Sequence, residues 1–133
     1  GNYIAGGCKE AVIDSPDTAT FEKRLACVPE ELKPLQQTGS DYAMHPADAT
    51  QKVLNPVGEW NSSKIIFTPE KVEHWLNGKK LLSFVPWDEA WQEKKNSDKW
   101  KNSKDYGKFK KGFIGLQDHS SPIWFKNIKI KKL

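Results

Sequence analysis

Val72-Glu73-His74-Trp75-Leu76-Asn77-Gly78-Lys79-Lys80-Leu81-Leu82 is the stretch whose reading decides the fold. Asn-Gly between two apolar-rich runs is a strong short-range signal for a two-residue hairpin, because a type I′ turn needs positive φ at both central positions. Just upstream, Ser63 to Thr68 has Ile65, Ile66 and Phe67 at its centre and closes at Pro69, which reads as a further strand. Three consecutive antiparallel strands follow. The rest of the chain must either cover their apolar face or decorate their open one.

Working outward, a chain of 133 residues supports one domain with a single core. Its hydrophobic fraction of 37% is low, but six Trp, six Phe and three Tyr offer much buried area per residue. An aromatic β-sandwich core fits that composition. No apolar run reaches the roughly 18 residues of a membrane-spanning helix. No signal peptide is visible, and the start at Gly1 rather than Met is compatible with a leader removed earlier.

The net charge of +4 is unevenly spread. The first fifty residues hold eight acids against four bases, whereas Lys94 to Lys111 holds eight Lys and two Asp. That basic block lacks Arg and any nucleic-acid motif, so it reads as a solvated surface and not as a nucleic-acid interface. Cys8 and Cys27 are the only cysteines, and neither sits at zinc-ligand spacing. They either pair in an exported protein or remain two small thiols.

Before the hairpin, Glu10 to Asp14 reads as a short strand and Ala19 to Ala26 as at most a short helix, because Pro29 and Pro34 interrupt the helical spacing. Gln36 to Pro56 is mostly loop, with a short strand around Ser40 to Met44 and a surface turn histidine at His45. After the hairpin comes a short helical excursion around 87–104, in which Asp88 and Glu89 suit the positive helix end. Trp87, Trp91 and Trp100 are expected to bury against the sheet. Gly112 to Leu116 then reads as a buried strand, Gln117 to Pro122 as a polar turn, and Ile123 to Ile130 as the closing strand.

Period-two alternation sets Val72, His74 and Leu76 on one side of their strand and Glu73 with Trp75 on the other. Two apolar residues mark the His74 side as core, which would expose Glu73 and Trp75. A twist or bulge reverses that assignment, so both orientations stand. His74 is then either a hydrogen-bonded core histidine or a site residue, and Trp75 either a sheet-covering aromatic or a platform.

Four segments carry a resemblance: Gly58-Glu59-Trp60-Asn61, Glu73-His74-Trp75-Leu76-Asn77-Gly78, Gly115-Leu116-Gln117-Asp118-His119, and Trp124-Phe125-Lys126-Asn127-Ile128-Lys129-Ile130. In this order and spacing the chain resembles the bacterial family of domain of unknown function 1080, the 3-keto-disaccharide hydrolase domains. The match is good over 38–133 and weak over 1–37. The resemblance implies an all-β, antiparallel jelly-roll β-sandwich of concanavalin A-like fold occupying 1–133 as a single domain. It also implies an exported, periplasmic or cell-surface, carbohydrate-active protein. The family's N-terminal strands are missing apart from Glu10 to Asp14, which points to a fragment, a shortened member or one segment of a longer polypeptide. A second chain or a missing segment is then expected to complete the sheets.

The implied chemistry is cleavage of 3-keto-glycosides. A ketone at C3 acidifies the C2 proton, a histidine base (His119 or His74) removes it, and the C1 substituent leaves by elimination. Asp118 beside His119 would fix the ring's tautomer. Its other reading is a carboxylate capping its own turn, with His119 merely packed. Glu73, Trp75, Gln117, Lys126, Asn61 and Trp124 are the implied substrate-binding residues. Lys126 stands where the family usually has Arg, keeping charge but losing the bidentate fork, and Ser120 stands where it usually has Gly. A divalent cation held by His and Asp or Glu is compatible with this chemistry. The alternative function is a non-catalytic carbohydrate-binding or structural sandwich module of a surface protein, since fold does not dictate activity.

Overall fold

The computed structural model describes residues 32–56, 58–117 and 123–133. The strand at Glu10 to Asp14, the helix at Ala19 to Ala26, and Cys8 with Cys27 lie outside the described residues, as do Asp118, His119 and Ser120. No helix among the described residues is long and apolar enough to cross a membrane.

The centre is an antiparallel three-stranded sheet of order β1-β2-β3, with β1 at Ser63–Phe67, β2 at Val72–Leu76 and β3 at Lys79–Phe84. Asn77 and Gly78 have φ of 47° and 79°, as the two-residue turn requires. Thr68 and Lys71 exchange backbone hydrogen bonds across the β1–β2 turn. β2 is the middle strand and the buried one, with Val72 and Leu76 in the core.

The β2–β3 ladder pairs His74 with Leu82 and Trp75 with Lys80, so Leu81 stands unopposed between them as a bulge. Leu81 is buried with Met44, Val72, Leu76 and Trp91. Its carbonyl accepts the Asp48 N–H at 2.7 Å, and a Cβ at Gly39 would collide with its δ1 carbon. The 34–48 segment therefore lies on the His74 side of the sheet.

That segment opens with a 3-10 turn at Pro34–Gln36. Ser40 to Met44, expected as a strand, is instead a turn closed by an Asp41–His45 bridge. Ala43 sits in it at φ 59°, which no strand tolerates. His45 also departs from its reading as a surface turn residue. Its Nδ1 lies 3.0 Å from Asp41 Oδ2, and its ring stacks on Phe84 at 4.1 Å.

Helix α1, Glu89–Ser97, supplies the expected helical excursion. Asp88 caps it by accepting the Trp91 N–H at 2.8 Å. Trp91 buries as expected, parallel to Tyr106 at 5.9 Å. Trp87 and Trp100 are only half-buried. Trp87 meets Phe67 edge-on at 5.7 Å and donates to Gly107 O at 2.6 Å. Trp100 stacks on Tyr106 at 4.2 Å. The helix is thus pinned to the 106 turn through Trp91, while Trp87 just ahead of it reaches Phe67 of β1.

Two expected strands do not form. Gly112 to Leu116 is exposed and has no strand assignment. Glycines at both 112 and 115 weaken it as a strand, and no described strand lies beside it to complete a ladder. Ile123 to Ile130 is likewise unassigned, and Asn127 breaks it with φ 54°. The described fold is sheet-centred with little helix.

Candidate functional site

β2 distributes the expected site residues onto two faces. Trp75 Nε1 donates to Glu73 Oε2 at 3.0 Å, which fixes both side chains on one face. Lys71 Nζ lies 3.0 Å and Lys80 Nζ 3.9 Å from Glu73 Oε1. One of the two orientations left open by the alternation would expose Glu73, yet it is only 6% exposed. The reason is local: the Trp75 indole and the lysine stems close over it. The Lys71 hydrogen bond, with that of Trp75, holds its carboxyl below the usual glutamate range despite burial.

Trp75 stays half-buried, and Lys64, its β1 partner, sets Nζ 4.3 Å above the indole. The result is an aromatic surface with an ionised carboxylate beneath it and ammonium groups around it. It can stack on an apolar ligand face but cannot readily protonate anything.

His74 points the other way. Its Nδ1 is 3.1 Å from the Gly39 carbonyl oxygen, an acceptor only, so Nδ1–H donates. In the neutral ring Nε2 then carries the lone pair. His74 is half-buried, and its orientation is set by a backbone group contributed 35 positions upstream. Sheet geometry therefore separates His74 from Glu73 and Trp75.

A third grouping gathers beside the hairpin turn. Gly58, at φ 92°, and the Glu59 N–H to Pro56 O bond turn the chain into Trp60. Asn55 donates its N–H to Asn61 Oδ1 at 2.9 Å and its side-chain amide to Trp60 O at 2.7 Å. Asn77 donates to the same Asn61 oxygen at 2.7 Å and to Val53 O at 2.9 Å. Asn61 Oδ1, expected to meet substrate, is thus committed to the protein's own amides. Lys126 Nζ stands 4.1 Å from the Trp60 ring centroid.

Trp124 and Gln117 are exposed. Asp118 and His119 lie outside the described residues, so their convergence with His74 is not part of this geometry. Among the described residues no three His, Cys, Asp or Glu side chains converge to hold a metal ion. The geometry adds Trp60, Lys64, Lys71 and Lys80 to the residues expected from sequence. Trp60 lay inside the Glu-Trp-Asn motif, and the adjoining Asn61 was the available signal.

Comparison with known proteins places these features in context. The family described as the 3-keto-alpha-glucoside-1,2-lyase-like domain matches residues 14–131. A 3-keto-disaccharide hydrolase of Bacteroides thetaiotaomicron is 34% identical over 108 residues, covering 74% of this chain and 37% of the relative. A crystal structure of a candidate glycosyl hydrolase from Parabacteroides distasonis is 44% identical, with a TM-score of 0.54 over 61% of this chain and 35% of that one. The chain thus spans little more than a third of either protein's length.

Proposed function

This chain belongs to the 3-keto-alpha-glucoside-1,2-lyase-like domain family, and from that premise we propose that it is a carbohydrate-active domain cleaving 3-keto-glycosides. In this reading residues 1–133 form one concanavalin A-like jelly-roll domain of an exported protein, completed by further strands from another segment or chain. The substrate's C3 ketone makes its C2 proton removable. A histidine base takes that proton, the freed electron pair forms a C1–C2 double bond, and the C1–oxygen bond breaks with its electrons passing to the leaving group. Water adding across the new double bond completes hydrolysis; without it the reaction ends as elimination.

The observation that carries the reading is His74. Its Nδ1–H is anchored on Gly39 O, which leaves Nε2 as the basic nitrogen of an oriented ring. His119, with Asp118, is the other proposed base, and Lys126 is proposed to steady the enolate oxygen. Trp124 and Gln117 are proposed substrate neighbours, and Asn61 is proposed to reach substrate through its Nδ2, its Oδ1 being taken. Trp75 is proposed to hold a sugar on the face of β2 opposite His74, with Glu73 acting through it in view of its burial. No step is routed through a metal. The test is incubation with a 3-keto-glucoside, with and without chelator, following release of the aglycone. Release is expected; its absence in both conditions overturns the enzymatic reading.

A non-catalytic carbohydrate-binding module is the second reading, favoured by the Trp75 platform over an already ionised carboxylate. Saturable sugar binding without release of an aglycone would single it out.

A further inference from the structure

Lys126 and Trp60 are 66 positions apart in sequence, yet the ammonium of one lies over the ring of the other at 4.1 Å. Trp60 is 49% exposed, so about half its surface faces solvent. Its backbone is held, because its carbonyl accepts from Asn55 and its neighbour Asn61 is tied to Asn77 in the hairpin turn. A half-open indole on a held backbone, with a cation on its ring, combines apolar area with a donor.

A pyranose ring matches that combination. The axial C–H groups of one ring face make it apolar, and oxygens stand around its rim. An ammonium donates to acceptors only, and best to those carrying negative or concentrated charge. Among sugar substituents, carbonyl and carboxylate oxygens meet that demand better than hydroxyls. Lysine, unlike arginine, contacts such an oxygen as a point charge that follows its position.

We infer that Trp60 and Lys126 form one sugar subsite, in which a pyranose takes the indole face that the ammonium now covers, and the displaced ammonium swings to the ring's rim to meet a keto or carboxylate oxygen there. The subsite rests on the carbohydrate-active reading and adds to it a stacking residue and a substrate feature. A purely structural pin between the 55–61 loop and the C-terminal segment is the rival account. That role would change stability without changing ligand preference.

The experiment measures binding of a 3-keto-glucoside, a glucuronide and an unmodified glucoside to the full chain, by ligand-induced shifts of the indole N–H resonances. Turnover of the keto substrate is followed in parallel. Trp60→Ala is expected to weaken binding of the preferred ligand about tenfold, the loss expected of one stacked ring, and Trp60→Phe to restore it. Lys126→Met is expected to remove the preference for the oxidised sugar over the plain glucoside. The keto and glucuronide arms identify which oxygen is read.

Unchanged affinity in Trp60→Ala overturns the subsite while wild-type turnover leaves the enzymatic reading standing. If wild type binds none of the three sugars, both fall together. Should Trp60→Ala fail to fold, Trp60→Leu keeps the apolar bulk without the π-face, and wild-type affinity in that variant also overturns the subsite.

Discussion

Asn77 donates a hydrogen bond from its side-chain amide to the amide oxygen of Asn61 at 2.7 Å. A residue chosen for its turn conformation thus also fastens the loop that presents Trp60. Its Oδ1 accepts the Ser62 N–H at 2.8 Å, and its Nδ2 reaches Val53 O as well. Turn and loop are one unit.

Replacing Asn77 by Gly keeps the positive φ but removes these side-chain bonds. Stability is expected to fall by about 1–3 kcal/mol, measured by urea denaturation. The loss should come with protease sensitivity in the 53–61 loop.

Glu73 predicts an acid limb. Its carboxyl titrates below the ordinary value of 4.5, chiefly because Lys71 donates to it. The folded state thus holds its proton less tightly than the unfolded chain. Its contribution is present in full above the unfolded pKa and is lost as pH falls through the depressed folded one. Glu73→Gln is expected to flatten that decline, read from Tm against pH.

The tyrosines are expected to titrate apart. The Lys99 hydrogen bond lowers Tyr42 from 10.0, whereas burial, helped by Asp41, pushes Tyr106 up to about 12. Phenolate absorbance should place the Tyr106 step later than the Tyr42 step, and Tyr106→Phe should delete the late one. With its folded pKa raised, Tyr106 contributes stability that is full below its unfolded value and lost as pH rises toward 12.

Gly107→Ala is expected to destabilise by about 1–3 kcal/mol. Gly107 sits at φ +69°, and an added Cβ would fall on the Trp91 ring. Denaturation of that variant, with loss of the Trp91 near-UV signal, checks it.

His74→Gln is expected to cut kcat on a 3-keto-glucoside by about 10²–10⁴-fold, the usual share of a general base, with KM less affected. A variant that retains wild-type kcat would remove His74 from the proposed mechanism.

The hairpin, the strand before it and the start of the helix were legible because each is set by neighbours in sequence: Asn77-Gly78 for the turn, Pro69 for the strand end, Asp88-Glu89 for the helix start. The split of His74 from Trp75 followed from alternation for the same reason. What was not legible depends on distant partners. Glu73 is a partial exception: Trp75 and Lys71 are near in sequence, but that they and Lys80 of β3 close over a polar side chain is not announced by alternation. His45 looked like a loop residue because nothing local reveals its stacking on Phe84. Gly112 to Leu116 and Ile123 to Ile130 have strand-like composition, but a strand exists only where a neighbour supplies its hydrogen bonds. Trp60 and Lys126 meet across most of the matched region, a proximity that no sequence spacing announces.

Leu81 gives the hairpin a tooth. Opposed by nothing in β2, buried, and notched against Gly39, it allows only one setting of β3 against β2. Sliding by a single residue would pull this side chain into water and turn Lys80 inward. Lengthening or shortening the chain between Gly78 and Leu81 should therefore scramble which groups look out from the whole strand pair, not merely loosen its tip.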